Sequence, residues 1–166
     1  IVQQEELTDQ TLKVVKANDV KTSSSDAVTI FTDGGSRGNP GPSAAGYVII
    51  NSRQEVIAEG GEYLGITTNN QAEYHGVRIG MEKAIEMKFT RVDFKIDSML
   101  VVNQMKGFYK IKNRELWPIN ERIRELMKHF KKVTFTHVGR EFNQLADGMV
   151  NKTLDARSRE KLTPSV

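Results

Sequence analysis

The sequence contains no cysteine among its 166 residues. Disulfide bonds, thiolate metal ligands and a cysteine nucleophile are therefore all excluded. A chain without cysteine is compatible with a reducing compartment, and we expect a cytoplasmic protein. Any metal site or nucleophile has to be built from other side chains.

Long apolar segments are also missing. No apolar run approaches the ~20 residues that a membrane-spanning helix needs, and we see no signal-peptide pattern, so no membrane partner is expected. Residues 1–26 contain no Phe, Trp or Tyr and end in a serine-rich stretch, which predicts a polar N-terminal tail or linker. The length and the 38% of hydrophobic residues predict one domain, which we place at residues 27–155 and follow with a C-terminal tail over residues 156–166.

Positive charge is concentrated in one part of the chain. The formal net charge is only +3, yet residues 105–132 hold nine basic and three acidic side chains, whereas residues 1–26 hold three basic and five acidic ones. Two interpretations are about equally good at this point. The basic segment is either a solvated helix face, which is the commoner cause of a charge run, or a surface for a polyanionic partner.

Hydrophobic periodicity predicts five strands and four helices. The first of these helices begins after Thr68, which forms a capping box with Gln71. Small residues on its inner side predict that it lies close to a sheet. The whole order predicts an α/β fold with a five-stranded mixed sheet flanked by helices. The predicted strands cover 27–33, 44–50, 55–63, 91–96 and 133–137, and the other helices cover 98–105, 114–130 and 141–152.

Acidic residues stand at the ends of two predicted strands. Asp33 ends the first strand, before a turn rich in glycine and proline, and Asp97 ends the fourth. Each acid also has an ordinary structural explanation, because Asp-Gly is a common turn dipeptide and Asp97 can cap the helix that follows it. A helical crossover would make these strands parallel neighbours, with both acids at the same edge of the sheet.

Two further acids are expected near that edge. Glu73 falls in the first turn of the helix after Thr68, where the helix dipole also favours a carboxylate, and Asp147 lies on the last helix near Asn143 and Asn151. Four carboxylates this close together repel one another unless cations neutralise them. All-oxygen ligation predicts Mg²⁺ or Mn²⁺, and two such ions on shared carboxylates would support hydrolysis of a phosphodiester.

Five segments of the sequence, taken together, resemble the type 1 ribonuclease H family. The resemblance covers about residues 28–151, and an acid stands in each position where the family has one. Any one segment would be a weak signal, whereas all five in order are a strong one. The segments are TDGGSRGNPGP (32–42), TTNNQAE (67–73), IDSMLVV (96–102), KNRELW (112–117) and HVGREFNQLAD (137–147).

The resemblance implies a ribonuclease H-like fold and an endonuclease that cuts the RNA strand of RNA–DNA hybrids, leaving 5′-phosphate and 3′-hydroxyl ends. By position, Asp33, Glu73, Asp97 and Asp147 are similar to the family's metal-binding acids, with Asp33 bridging two ions of Mg²⁺ or Mn²⁺. His137 is similar to a histidine of a mobile loop that assists proton transfer or product release. Its alternative is a strand-end histidine without chemistry.

The resemblance also implies residues that bind the substrate. Asn39, Asn69 and Asn70 are similar to residues that reach the minor groove of the hybrid, where 2′-hydroxyl groups mark the RNA strand. Thr68 and Asn113 are similar to a pocket that grips a phosphate of the DNA strand. Without the resemblance, these side chains would be interpreted as turn or cap formers.

Two features of many family members are missing. Before Asn113 the chain lacks their extra helix and basic, tryptophan-containing protrusion, and residues 1–26 lack an aromatic-rich hybrid-binding module. Affinity for the hybrid is then expected to come from Lys106, Lys110, Lys112 and their neighbours, or from a partner or an upstream domain. Binding should be weak and sensitive to salt.

Other functions also use clustered acids on a similar fold. Integrase-like strand transfer and 3′–5′ exonuclease activity belong to this group, but the glycine loop and the TTNNQAE segment fit them less well. A ribonuclease H-like domain that binds nucleic acid without catalysis is a further alternative, and the full set of four acids argues against it. The glycine loop is not a nucleotide-binding P-loop, because no Gly-Lys-Ser/Thr follows it.

Overall fold

The computed structural model describes residues 27–162, and the predicted tail over residues 1–26 lies outside this range. Within the described residues, five strands and four α-helices follow one another in the predicted order. They are β1 (Ala27–Ser36), β2 (Gly41–Ile50), β3 (Val56–Thr67), α1 (Asn69–Glu86), β4 (Arg91–Ile96), α2 (Met99–Met105), α3 (Trp117–Met127), β5 (Lys132–His137) and α4 (Gln144–Leu162), with 3₁₀ turns at Arg114–Leu116 and Arg140–Phe142.

The strands form one mixed sheet in the order β3-β2-β1-β4-β5. Short connections join β1, β2 and β3, which pair antiparallel. The crossover through α1 brings β4 parallel to β1, and β5 is parallel to β4. The predicted α/β fold with a five-stranded mixed sheet is therefore confirmed, together with the parallel arrangement of β1 and β4.

The sheet separates two apolar layers. Successive residues of β1 face opposite sides, so Ile30 packs with α1 and α3, whereas Phe31 packs with α4. On the first side, Val77 of α1 and Ile123 of α3 are fully buried. On the second side, Ala146 of α4 is fully buried. The helices are thus fixed against the sheet from both faces.

The helix predicted over residues 114–130 is shorter than expected. It begins with the 3₁₀ turn at Arg114–Leu116 and becomes α-helical at Trp117. Pro118 lies in the first turn of α3, where its missing amide hydrogen has no intrahelical partner to lose. The apolar residues Leu116, Ile119, Ile123 and Leu126 of this helix are buried, whereas Met127 is only partly buried.

The last helix is longer than expected. The sequence predicts an end at Lys152, but α4 continues to Leu162, so residues 156–162 are helical rather than part of a tail. Val150 and Leu154 are buried four residues apart on the side that faces the sheet, and their packing supports the additional turns. No helix within residues 27–162 is both long enough and apolar enough to cross a membrane.

The first strand also continues past its predicted end. Asp33 is not the last residue of β1, because the antiparallel partner β2 supplies hydrogen bonds as far as the pair Ser36–Ser43. The parallel pairing with β4 stops earlier, at the pair Phe31–Lys95. Asp33 therefore lies just beyond the point where β1 and β4 stop pairing, which leaves a gap in the sheet at this edge.

Helix α1 lies in direct backbone contact with β1. A Cβ atom on Gly34 would lie 2.1 Å from the carbonyl carbon of Ala72, and one on Gly76 would lie 2.7 Å from the carbonyl oxygen of Asp33. Neither glycine can carry a side chain without a shift of backbone. The prediction that small residues bring this helix close to the sheet is confirmed.

We expect Gly34→Ala to destabilise the protein by about 2 kcal/mol or more, because a side chain here would force α1 away from β1. Gly148→Ala is the matched control. Gly148 is a helical residue of α4 where an added Cβ atom would have no neighbour within 4 Å, so alanine should stabilise the helix by ~0.5–1 kcal/mol. Urea denaturation measures both changes, and equal midpoints for Gly34→Ala and the wild type would contradict the contact.

Candidate active site

Three acidic side chains from separate elements meet at the gap between β1 and β4. Asp33 comes from β1, Glu73 from α1 and Asp97 from the residue after β4. Each offers a carboxylate oxygen that lies within 4.8 Å of the others. The sequence-based prediction that these three acids converge is therefore correct.

Asp33 is the most buried acid, with 7% of its surface exposed. Burial, followed by the negative charges of Asp97 and Asp147, raises the pKa of its carboxyl to about 8. The backbone amide of Gly34 acts in the opposite direction by hydrogen bonding to the charged form. The ionised form of Asp33 therefore needs a neighbouring cation.

Glu73 lies in the second turn of α1, not in the first turn as the sequence predicts. Thr68 does form the predicted capping box, so Asn69 is the first helical residue and Glu73 the fifth. At that depth the helix dipole gives little reason for an acid. Burial raises the pKa of Glu73 well above its ordinary value, with the charges of Asp33 and Asp97 adding to the effect and Arg140 opposing it.

Asp97 does not cap helix α2, although the sequence allows that role. Ser98 is the capping residue, because its hydroxyl accepts a hydrogen bond from the amide of Val101 at 3.3 Å. The carboxylate of Asp97 is therefore not used by the helix end. It accepts a hydrogen bond from the side-chain amide of Asn143 instead.

Asp147 lies at the rim of the acidic group. It sits in the first turn of α4, is exposed, and accepts a hydrogen bond from Asn151 at 3.2 Å. Its negative charge also raises the pKa of Asp33. The fourth predicted acid therefore adjoins the other three from the solvent side.

His137 is the last residue of β5 and pairs with Ile96, the residue before Asp97. It is half-buried. The histidine is therefore part of the sheet, beside the acidic group, rather than within the loop that follows. The sequence places this histidine at the end of the strand predicted over residues 133–137, and the structure agrees.

The side chains predicted to bind substrate lie in two places. Asn39, in the glycine loop, accepts a hydrogen bond from the backbone amide of Asn69 at 3.0 Å, and the side-chain oxygen of Asn69 accepts one from the backbone amide of Ser36 at 3.0 Å. These bonds fasten the glycine loop to the start of α1, where Thr68 caps the helix and Asn70 is exposed. The structure thus brings four of these residues together.

Asn113 stands apart from them in sequence, at the start of the 3₁₀ turn Arg114–Leu116. Its side-chain oxygen accepts a hydrogen bond from the amide of Glu115 at 3.0 Å, so it caps this turn. Helix α1 packs against the same turn. Asn113 and Thr68 both cap helical turns, which is the structural role that the sequence predicts for them without the family resemblance.

Exposed aromatic side chains accompany the basic segment, a feature that charge counting alone did not reveal. Phe108 is 72% exposed, and Tyr109 and Trp117 are each about half exposed. The ammonium group of Lys106 lies 6.0 Å from the centre of the Phe108 ring, and the guanidinium of Arg114 lies 5.5 Å from the Trp117 ring. The segment therefore places a cation beside an exposed aromatic ring at two positions.

Asn143 was not singled out by the sequence as a site residue. It is fully buried, and its side-chain amide donates hydrogen bonds to the carbonyl of Thr32 at 2.9 Å and to Asp97 at 3.1 Å. Its spacing of four residues before Asp147 was the available signal. That spacing alone does not separate a site residue from an ordinary residue near a helix start.

The donor set fits a hard divalent cation. All the side-chain ligands on offer are carboxylate oxygens, which Mg²⁺ and Mn²⁺ prefer. One oxygen of Glu73 is buried and has no hydrogen-bond partner among the described residues, as expected for an atom that faces a cation. The burial of ionisable acids beside one another is otherwise unfavourable.

Comparisons with known proteins give one consistent family. A family model described as reverse transcriptase-like matches residues 31–153. Ribonuclease HI of Halobacterium salinarum is 39% identical over 128 residues, which cover 77% of this chain and 64% of that protein. Ribonuclease H of Pseudomonas syringae pv. syringae is 31% identical over 147 residues, which cover 79% of this chain and 94% of that protein. This chain thus spans less than two thirds of the halobacterial relative.

The fold agrees with these matches. The crystal structure of LC11-RNase H1 in complex with an RNA/DNA hybrid superposes with a TM-score of 0.75 at 36% identity, covering 78% of this chain and 98% of that one. At this level of identity the likeness extends to the sequence as well as the fold.

The acidic group predicts how stability depends on pH in the absence of metal. Between about pH 4 and pH 8 the carboxyl of Asp33 is protonated in the folded protein and ionised in the unfolded chain, because its pKa is raised to about 8 on folding. The folded state binds more protons in this interval, so the free energy of unfolding should fall as the pH rises towards 8. Burial of Glu73, which raises the pKa of that residue, acts in the same direction.

Asp33→Asn removes the carboxyl whose ionisation destabilises the folded protein at high pH. The substitution should raise the free energy of unfolding at pH 8 by more than ~1 kcal/mol, since each unit of pKa corresponds to roughly 1.4 kcal/mol. Urea denaturation in EDTA at pH 5 and pH 8 measures it. A wild-type protein that is as stable at pH 8 as at pH 5 would contradict the effect.

Proposed function

This chain belongs to the ribonuclease H family, and from that premise we propose that it is a metal-dependent endoribonuclease that hydrolyses the RNA strand of RNA–DNA hybrids. The products are a 5′-phosphate and a 3′-hydroxyl. The observation that carries the proposal is the convergence of Asp33, Glu73 and Asp97 at the gap between β1 and β4, with Asp147 at its rim.

The four acids are the groups that would hold two ions of Mg²⁺ or Mn²⁺, with Asp33 shared between them. Ions bound there would lower the pKa of a water molecule and stabilise negative charge on the scissile phosphate. Asp33 and Glu73 are the most affected by burial, so their ionised forms depend most on the bound cations. Asp147 would bind a cation from the solvent side of the site.

His137 is a candidate for the transfer of a proton at the end of the reaction. It ends β5 beside the residue that precedes Asp97, so it lies at the same edge of the sheet as the acids. An imidazole can exchange protons at neutral pH, which carboxylates occupied by cations cannot do. Its role would be to protonate the leaving 3′-oxygen or to assist product release.

Recognition of RNA falls to the asparagines beside the acids. The side-chain oxygens of Asn39 and Asn69 are engaged in hydrogen bonds within the protein, but within residues 27–162 no partner is found for their side-chain nitrogens. Asn70 is exposed next to them. These amide groups are therefore able to bond to 2′-hydroxyl groups and base edges in the minor groove of the hybrid.

The DNA strand would be bound by a different pair of side chains. Thr68 and Asn113, together with the exposed start of α1, are proposed to bind one of its phosphates. Holding the second strand in a geometry that RNA adopts reluctantly would favour a hybrid over double-stranded RNA.

We expect the purified protein to cut RNA in a labelled RNA–DNA hybrid with Mg²⁺ or Mn²⁺, and to leave RNA–RNA and DNA–DNA duplexes largely intact. EDTA should abolish cleavage. Asp33→Asn should lower the rate more than ~100-fold, since even residues behind metal ligands typically account for 10–100-fold. The matched control is Asp93→Asn, because Asp93 is bonded to Thr134 and Thr136 on a different part of the sheet.

Three outcomes would refute the proposal. The first is no metal-dependent cleavage of the hybrid, which would favour a domain that binds without catalysis. The second is equal cleavage of all three duplexes. The third is a near-normal rate for Asp33→Asn when the Asp93→Asn control is also active, which would remove Asp33 from the metal site.

Affinity for the hybrid is proposed to come from the basic segment, or from a partner or an upstream domain. Replacing Lys106, Lys110 and Lys112 with Gln should raise KM with little change in kcat, and each lost phosphate contact should reduce the salt dependence of binding by about one unit of slope. Lys83→Gln, in the last turn of α1, is the control. A KM that is unchanged at low and at moderate salt would exclude these lysines from binding.

A further inference from the structure

Asn143 is hydrogen-bonded to two of the four acids and to the residue that precedes a third. Its side-chain nitrogen donates to Asp97 at 3.1 Å and to the carbonyl of Thr32, the residue before Asp33, at 2.9 Å. Its own carbonyl accepts a hydrogen bond from the amide of Asp147 at 3.1 Å. One buried residue thus connects β1, the end of β4 and the first turn of α4.

The orientation of this amide follows from its partners. A carboxylate and a backbone carbonyl both accept hydrogen bonds, so only the side-chain nitrogen of Asn143 can face Asp97 and Thr32. Its side-chain oxygen is then buried without a partner among the described residues. Burial of an unpaired oxygen lowers the stability of the folded protein. The two hydrogen bonds that the side-chain nitrogen donates must offset this cost.

The location explains what the donated bonds do. The pairing of β1 with β4 ends at Phe31–Lys95, and at the next step the carbonyl of Thr32 receives the side chain of Asn143. Asn143 therefore fills the gap where the two strands stop pairing. It joins them at the level of Asp33 and Asp97.

The chemical type of the residue also suits this place. An amide can donate to a carboxylate without carrying a charge. A lysine or arginine in the same position would neutralise the acids and compete with cations for them. Asn143 can orient Asp97 and leave the negative charge of the group intact.

We propose that Asn143 is a positioning residue for the metal centre, which fixes Asp97 relative to Asp33 and thereby sets the affinity for divalent cations. This inference rests on the proposed function, since it assigns a role within the same site. The effect of Asn143 is exerted through the orientation of Asp97.

The test uses Asn143→Leu, which keeps the number and branching of side-chain heavy atoms and removes both donated bonds. Titration calorimetry with Mn²⁺ should show an affinity at least tenfold weaker than that of the wild type, the lower end of the range for residues behind metal ligands. In the cleavage assay, the metal concentration for half-maximal rate should rise, while KM for the hybrid stays unchanged. Mn²⁺ binding by a folded Asn143→Leu protein at wild-type affinity would overturn the inference.

Asn51→Leu is the matched control for a loss of stability. Asn51 is also buried, donates to the carboxylate of Glu55 at 3.0 Å, and lies just beyond the end of β2 that is distant from the acids. Its replacement should lower the free energy of unfolding without a change in Mn²⁺ affinity. Equal losses of Mn²⁺ affinity in both variants would show a general effect of unfolding and overturn the specific role.

A measurement on the wild-type protein keeps the inference testable if Asn143→Leu does not fold. In NMR spectra, the side-chain amide protons of Asn143 should exchange slowly with solvent and should shift on addition of Mg²⁺, whereas those of Asn51 should not shift. Unchanged Asn143 signals at saturating Mg²⁺ would overturn the inference. A wild-type protein that binds Mn²⁺ but does not cut the hybrid would refute the proposed function alone.

Discussion

Repulsion among carboxylates is the constraint on which the rest of this structure depends. Asp33, Glu73 and Asp97 offer oxygens within 4.8 Å of one another, and burial together with neighbouring charges opposes the ionisation of Asp33 and Glu73. Such a group does not assemble by mutual attraction. It is held in place by the packing of the elements that carry it, at an expense in stability that a bound divalent cation would offset.

The architecture supplies that packing from both faces of the sheet. The parallel pair β1 and β4 places two acids at one edge, α1 brings the third across one face, and α4 brings Asp147 from the other. Each helix is anchored in the core below the site, through residues such as Val77 and Ala146. The hydrophobic core and the acidic group are therefore connected through the same four elements.

Much of this arrangement could be predicted from local patterns. The alternation of β1, the capping box at Thr68 and the apolar spacing of α1 each depend on a few adjacent residues, so they are visible in the sequence. Features that depend on a neighbouring element were not visible. The extension of β1 past Asp33 needs β2 as a partner, and the contacts of Asn143 need three distant segments in place. Glu73 was placed one turn too early although the capping box at Thr68 already fixes Asn69 as the first helical residue, so this error was one of counting along the helix.

The contact between Gly34 and Ala72 has a consequence for how such a protein can change over time. Main chain meets main chain there with no side chain in between, so the spacing of β1 and α1 near the acids is fixed by van der Waals contact between main-chain atoms rather than by the sizes of core residues. Apolar residues farther along these elements can be exchanged for others of similar volume while the distance between the two elements at the acids is preserved. Sequence drift in the interior is in this way separated from the dimensions of the acidic group.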